Sequence, residues 1–279
     1  MLTYRVHRSL PFLLLFSVLG CGSALPCPRV PHTDALAALR SQAAVRSHLA
    51  SIRAEARVDQ RGREGRIRGT VFMFVQLPDR VRFDAMTQFG PAAILTSDGG
   101  SFAFADLRKN RFYCGPTCPT NIERLLGLRL SAEDTTALLL GNAPVLSEAE
   151  ASLQCTDDGL YRLDLRYADG RRQEIDLGIH PADLGAPPAE QRLRLLRSEL
   201  LGPRGKTIWR ATYDDYQVIR AGASGVAFPF EVRLEQPYLG SDVLVRFKEV
   251  DANPQIPPST FVQQPRAGIQ VEELPCGVP

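Results

Sequence analysis

Beyond residue 50 the chain alternates apolar and polar positions with a period of two, which is the pattern of a β-strand with one buried face. The first alternating segments are residues 51–60, 67–77 and 81–88, and the last are residues 228–236 and 242–250. Short turns with glycine, proline, asparagine or aspartate separate them. We therefore predict about ten or eleven strands, joined as an antiparallel meander.

Two stretches have helical spacing instead. Leu36, Leu39 and Ala43 recur near helical spacing up to about His48, after Thr33 or Asp34, either of which can cap a helix. Residues 120–141 contain two short segments that each begin at a capping residue and end near a glycine. Three helices are too few to cover both faces of a large sheet, so the sheet must curl. The predicted fold class is mainly β (α+β), with one curled antiparallel sheet.

The large apolar side chains of several strands share one predicted face. They are Val71, Met73, Val75, Val81, Phe83, Leu163, Leu165, Trp209, Tyr213, Phe228, Phe230 and Val232. If these side chains fill the inside of the curled sheet, they form an ordinary core. If the helices hold the sheet open, the same side chains line a lipid cavity. The sequence leaves both interpretations open.

The N-terminus has the pattern of an export signal. Arg5 and Arg8 precede an apolar run of roughly ten residues, which is shorter than the ~20 residues that a membrane-spanning helix needs. Residues 18–20 read Val-Leu-Gly and lie directly before Cys21, an arrangement that resembles the bacterial lipobox. We predict cleavage before Cys21 and acylation of its thiol. Ordinary secretion, with Cys21 discarded or disulfide-bonded, is the alternative.

An acylated Cys21 would hold the protein on a membrane, because two or three acyl chains bury many methylenes at ~0.8 kcal/mol each. Gly22 and Ser23 follow it, rather than the aspartate that retains many bacterial lipoproteins in the inner membrane. We therefore predict the outer membrane, with the protein facing the periplasm. The predicted organisation is a signal peptide at 1–20, a tether at 21–32, one domain at 33–274 and a tail at 275–279.

Charge and motifs narrow the functional classes. The chain has 33 basic and 31 acidic residues, and removal of the signal leaves it formally neutral, so no nucleic-acid partner is expected. No cofactor is predicted, and the histidines lack metal-ligand spacing. Paired acids at 157–158 and 214–215 are interpreted as solvated carboxylates, and no nucleophile elbow occurs. We predict no enzyme; a hydrolase and a structural adaptor with a filled core remain the alternatives.

Five cysteines follow Cys21, and they are Cys27, Cys114, Cys118, Cys155 and Cys276. An oxidising compartment favours disulfides among them, and the odd number leaves one cysteine over. Cys27 and Cys276 lie near the two ends of the mature chain, so we predict that they pair. Three residues separate Cys114 from Cys118, whereas a thioredoxin-type redox pair has two, so these cysteines are interpreted as structural.

Three segments resemble the LolA/LolB family of lipoprotein-sorting proteins. One is residues 80–90, Arg-Val-Arg-Phe-Asp-Ala-Met-Thr-Gln-Phe-Gly, in which a strand ends in a hydrophobic-glycine turn. The second runs from Ile122 to Gly141 and is similar to the lid helices of the family. The third comprises residues 258–265 and the strand-like residues 268–271, and is similar to the closing segment. The resemblance spans residues 33–274, and Cys21 places the chain nearer LolB, which is lipid-anchored.

The resemblance implies an incomplete β-barrel with lid helices over an apolar cavity that binds acyl chains or lipoproteins. It also implies a role in lipoprotein localisation, with a periplasmic carrier protein as a partner. Phe89 lies between Gln88 and Gly90 at the end of a strand, where the resemblance implies an exposed, membrane-facing residue. A phenylalanine folded back into the barrel end is the alternative. The loop at 179–189, the extra cysteines and the tail at 272–279 depart from the family pattern.

Overall fold

The computed structural model describes residues 26–63, 65–146 and 148–276, apart from the side chains of residues 124–126. These residues form one large sheet and three α-helices. The helices are α1 (Ala35–Arg46), α2 (Pro119–Leu126) and α3 (Ala132–Leu139). The strands are β1 (Ser51–Gly62), β2 (Gly65–Gln76), β3 (Arg80–Thr87), β4 (Gly90–Ser97), β5 (Ser101–Asp106), β6 (Arg111–Pro116), β7 (Glu150–Cys155), β8 (Leu160–Arg166), β9 (Arg172–Ile179), β10 (Leu193–Leu201), β11 (Thr207–Ala221), β12 (Ser224–Gln236), β13 (Ser241–Ala252) and β14 (Gln270–Glu273).

The strands lie in the order β14-β6-β5-β4-β3-β2-β1-β13-β12-β11-β10-β9-β8-β7. The predicted curled, unclosed sheet is confirmed, with β7 and β14 at its two edges. The expected ten or eleven strands become fourteen among the described residues. Gly90, with φ of 113°, permits the reversal between β3 and β4. The antiparallel prediction holds except at β14, which pairs in parallel with β6.

Apart from β14, each strand runs antiparallel to its neighbours, so the turns between strands alternate between the two ends of the sheet. We call one end the mouth end; it carries the turns that follow β1, β3, β5 and β12. We call the other the disulfide end; it carries Cys155 at the end of β7 and Cys118 after β6. The described chain both enters and leaves at the disulfide end, because Cys27 bonds to Cys155 and Cys276 bonds to Cys118.

The predicted pairing of Cys27 with Cys276 is therefore wrong. Cys27 bonds to Cys155, at a Cα–Cα distance of 6.1 Å, and Cys276 bonds to Cys118, at 6.2 Å. The physical reason is the open sheet: Cys155 belongs to the β7 edge, whereas Cys276 follows β14 at the opposite edge. Proximity to the chain termini in sequence did not place the two cysteines together in space. The expected unpaired cysteine is Cys114, and burial raises the pKa of its thiol.

Two of the three helices begin where the capping residues predict, whereas α2 begins after Cys118, which forms no side-chain capping hydrogen bond. Asp34 Oδ1 accepts the amide of Ala37 at 2.6 Å at the start of α1, and Ser131 Oγ accepts the amide of Asp134 at 2.9 Å at the start of α3. α2 ends at Gly127, whose φ of 67° is the left-handed conformation of a helix C-cap. α1 packs against β7, β10 and β12, whereas α3 packs against β2 and β3. The two helices therefore cover different parts of the inner face.

Candidate functional site

The inner face of the sheet has two halves. In the half formed by β7 to β12, which we call the filled half, α1 and the N-terminal segment cover the sheet. Tyr161, Leu163 and Phe228 are fully buried there, and Ala38 of α1 belongs to the same apolar cluster. The phenol of Tyr161 accepts the backbone amide of His32 at 3.0 Å and donates to Gln191 at 2.8 Å. This half has the close packing of an ordinary protein core.

The other half, formed by β1 to β6 together with β13, is the open half. It encloses a cavity of about 710 Å³, within the size range of ligand pockets. Side chains on the inner face of the strands form its floor, and Leu128 and Leu139 beside the short helices form its roof. The apolar lining residues are Val58, Ile67, Val71, Met73, Phe83, Ala85, Met86, Ala92, Ala93, Leu95, Phe104, Tyr113, Leu128, Leu139, Leu234, Val243, Val245 and Leu274.

The twelve side chains predicted for a cavity are divided between the halves. Val71, Met73 and Phe83 line the cavity. Val75 and Val81 belong to strands of the open half but lie outside the lining. The other seven lie in the filled half, namely Leu163, Leu165, Trp209, Tyr213, Phe228, Phe230 and Val232. Met73 pairs with Phe83 across β2 and β3, so these two side chains share one face of the sheet. The prediction did not foresee that α1 would fill one half.

Arg46 fixes the boundary between the halves. It lies in the last turn of α1 and donates to the carbonyl of Ala227 in β12 at 2.8 Å and to the carbonyl of Leu140, directly after α3. Its guanidinium also lies 5.8 Å from the centroid of the Phe228 ring. Burial lowers the pKa of this guanidinium. Arg46 therefore ties the helix of the filled half to the helix that roofs the cavity.

The cavity becomes polar towards the mouth end. Arg68, Arg108 and Lys109 contribute to the lining there, together with Asp106 and Glu272. In the opposite direction Ile52, Val75 and Val81 are buried and lie outside the cavity lining. The cavity is thus an apolar recess with a charged opening.

Phe89 lies at the mouth end, in the turn between β3 and β4. Its side chain is 92% exposed, and the turn is held by Thr87, whose hydroxyl donates to the carbonyl of Gly90 at 2.8 Å and accepts the amide of Phe89 at 3.2 Å. The side chain therefore stands out from the barrel end rather than plugging it. A second cleft of about 600 Å³ lies beside Phe89 and shares Thr87, Ala92 and Arg108 with the main cavity.

Sequence reasoning missed most of the lining. Val243 and Val245 alternate on β13 in the same way as the predicted residues do on β2, so the period of two held a signal for them. Leu128 lies just after α2, and Leu139 is the last residue of α3. Only the path of the chain between the strands brings these two leucines over the sheet. The acids at 157–158 lie in the turn between β7 and β8, and Asp214 and Asp215 are exposed on β11. These acids lie outside the cavity lining.

Cys21 and the signal segment fall outside the described residues, so the predicted lipidation stays a prediction. Within residues 26–63, 65–146 and 148–276, no helix has both the length and the apolar character that crossing a membrane requires.

The fold has solved counterparts. A DUF1329 family protein from Desulfovibrio piger superposes with a TM-score of 0.54 at 11% identity, covering 83% of this chain and 98% of that one. A LolA superfamily protein from Nitrosomonas europaea superposes with a TM-score of 0.52 at 10% identity, covering 83% of this chain and 98% of that one. A putative outer membrane lipoprotein-sorting protein domain from Vibrio parahaemolyticus gives 0.51 at 10% identity, covering 80% and 95%.

No protein-family model matches the chain, and no curated protein matches it significantly. At this level of identity the likeness to solved structures concerns the backbone fold. The chain therefore has the curled, unclosed sheet seen in a LolA superfamily protein and in a lipoprotein-sorting domain.

Proposed function

We propose that this protein is a lipid-anchored envelope protein that binds acyl chains or lipoproteins in the cavity of the open half, and that it takes part in lipoprotein localisation to the outer membrane. The observation that carries the proposal is an apolar recess of about 710 Å³ beside a fully packed half of the same face. Protein interiors otherwise fill to crystal-like density, so a recess of this size and lining suits an apolar ligand.

The proposed partners follow from this assignment. Acyl chains fit the lining of valine, leucine and phenylalanine side chains, and a periplasmic carrier protein would bring them. The membrane is the partner of the lipid on Cys21. Binding rather than catalysis is proposed because the cavity is lined mainly by apolar side chains.

The anchor sets limits on how Phe89 meets a membrane. Cys27 is bonded at the disulfide end, and the six residues from Cys21 to Cys27 span at most roughly 21 Å. Phe89 lies at the mouth end, and the 12-residue strand β1 that connects the two ends is about 40 Å long. We propose that Phe89 is membrane-facing, which the tether permits only when the strands lie close to the membrane plane.

Cavity filling tests the binding proposal. Ala85 and Ala93 are cross-strand partners that line the cavity. We would use the chain from residue 22 onward, which retains every described helix and strand, and titrate a fluorescent fatty-acyl probe. Ala85→Phe and Ala93→Phe are expected to reduce probe affinity at least tenfold, because each new ring occupies the recess.

The matched control is Ala189→Phe, since Ala189 is exposed and lies outside the cavity lining. Probe binding by the control should equal that of the parent chain. If the parent chain binds no probe and yields no acyl species on organic extraction, the binding proposal is wrong and the structural adaptor is favoured.

Fractionation tests the anchor. Cys21→Ala should leave the signal uncleaved at residue 21 or release the protein from the membrane pellet after a salt wash. Processing at the same bond with retention in the pellet would show that Cys21 is not the acylated residue.

A further inference from the structure

The charges at the mouth of the cavity point to the head of the ligand, a step that rests on the proposed function. The recess runs from a charged opening at the mouth end towards Met73, Phe83 and Leu95, and the buried Val75 and Val81 lie beyond its lining. An elongated amphiphile is therefore held in one direction, with its chain inside and its polar head among the charges of the opening. The sign of the free charge there decides which head is favoured.

Most charges at the opening already have partners. Arg68 contacts Asp59 at 2.8 Å, and Asp59 is also bonded to Arg66. Asp106 accepts the backbone amides of Arg108 and Lys109 at 3.2 and 3.0 Å, so this carboxylate is occupied in holding the turn after β5. Its contact with the Lys109 ammonium is longer, at 3.8 Å.

Glu272 is the remaining acid of the lining, and it lies 4.0 Å from Arg111. In contrast, the guanidinium of Arg108 has no side-chain partner among the described residues, although it contributes to both the cavity and the adjoining cleft. The opening therefore presents one guanidinium without a side-chain partner, that of Arg108, while Lys109 and Glu272 are each loosely paired, at 3.8 and 4.0 Å.

We propose that the cavity takes amphiphiles with an anionic head, a carboxylate or a phosphate, and that Arg108 binds this head with Lys109 beside it. A guanidinium suits both heads, because its planar array of donors can form two parallel hydrogen bonds to a pair of oxygens. The turn after β5 is held by Asp106, so the two cations are presented from a fixed backbone. The acyl chain then extends inward over Phe83 and Leu95.

Competition against the bound fatty-acyl probe tests this, with ligands that share one chain length. Palmitate, a palmitoyl lysophosphatidylglycerol and the uncharged glycerol monopalmitate would be compared on the chain from residue 22 onward, below their micelle concentrations. The two anionic ligands are expected to displace the probe at about fivefold lower concentration than the uncharged one, and this preference should shrink as salt is raised. Inorganic phosphate alone should leave the probe bound, because it lacks the chain.

Arg108→Glu should remove the preference for anionic heads while leaving displacement by glycerol monopalmitate unchanged. The matched control is Arg220→Glu, because Arg220 is an exposed arginine at the disulfide end of β11, outside the cavity lining. A preference for palmitate alone or for the phosphate ligand alone would support the inference and identify the head.

Equal displacement by charged and uncharged ligands, or an undiminished preference in Arg108→Glu, would overturn the inference but leave the binding proposal intact. Displacement by inorganic phosphate would also overturn it. Failure of the parent chain to bind the probe at all would instead remove the proposed function.

Discussion

The two halves of the inner face are made from similar strands, yet one is packed and the other encloses a recess. Leu163 in the filled half is fully buried, and Leu95 in the open half is 6% exposed and borders the cavity. Leu163 lies between Arg162 and Asp164 on β8, Leu95 lies between Ile94 and Thr96 on β4, and both side chains face the inner side of the sheet. The difference lies in what covers them, since α1 packs on one half whereas the other has only α3 and the connecting loop above it.

The comparison teaches that an apolar sheet face does not by itself predict a core. A helix such as α1 fills its half because small residues, Ala35 and Ala38, let it approach the sheet closely. The roof of the open half is fixed at both ends. Arg46 of α1 donates to the carbonyl of Leu140 directly after α3, and the Cys118–Cys276 bond lies directly before α2. A roof held in this way can span a recess without filling it.

The largest expected difference between the halves is in the free energy of unfolding that is lost when a leucine of each, Leu163 or Leu95, is replaced with alanine. Leu163→Ala should lower the free energy of unfolding by about 2–5 kcal/mol, because it opens a void in close packing. Leu95→Ala should lower it by less than half as much, since part of the leucine already borders an empty recess. Denaturant midpoints of the two variants measure this. Equal losses would mean that the halves are packed alike in solution.

The two disulfides separate stability from binding. Replacing Cys27 and Cys155 together with serine should reduce stability by about 2–4 kcal/mol, because the bond closes a loop of 128 residues. Probe binding should survive, since this bond lies in the filled half. Replacing Cys118 and Cys276 with serine should reduce stability by a similar amount and should also weaken binding of the probe, because Cys118 immediately precedes α2. Equal binding by both double variants would contradict a role for the second bond in holding the roof.

Phe89 should affect transfer far more than stability. Phe89→Ala is expected to change the free energy of unfolding by roughly 0.5 kcal/mol or less, because the side chain is already in solvent. Phe89→Glu should reduce transfer of a labelled lipoprotein into liposomes. Val218→Glu is the matched control, since Val218 is 75% exposed on β11 outside the cavity lining. Unchanged transfer by Phe89→Glu would remove the membrane role of this residue.

The smallest expected effect is a pH dependence of stability that arises from His32 in the filled half. Burial lowers the pKa of His32, which packs edge-on against Tyr161 at 5.4 Å. The unfolded chain then binds a proton more readily than the folded one, so stability is fully present above about pH 6.5 and falls as the pH decreases below it. Thermal unfolding of the parent and His32→Asn at about pH 5 and about pH 7.5 measures this. The asparagine variant should lose less stability between the two.

The alternation of apolar residues was enough to predict the strands, because side chains of a strand face opposite sides in turn, and the small number of helices predicted that their sheet curls. Local signals also located the helix starts at Asp34 and Ser131, where a single side chain caps the backbone. These features depend on residues close together in the chain, so the sequence carried them directly.

Tertiary structure decided what depends on distant segments. The bond between Cys27 and Cys155 required the N-terminal segment to reach the β7 edge, 128 residues away. The division of one apolar face into a core and a recess required the path of α1, which local periodicity does not specify. Arg108 became a candidate contact only when the turn after β5 was placed at the opening of the recess. In each case the physical cause is packing between segments far apart in the chain, which no local pattern encodes.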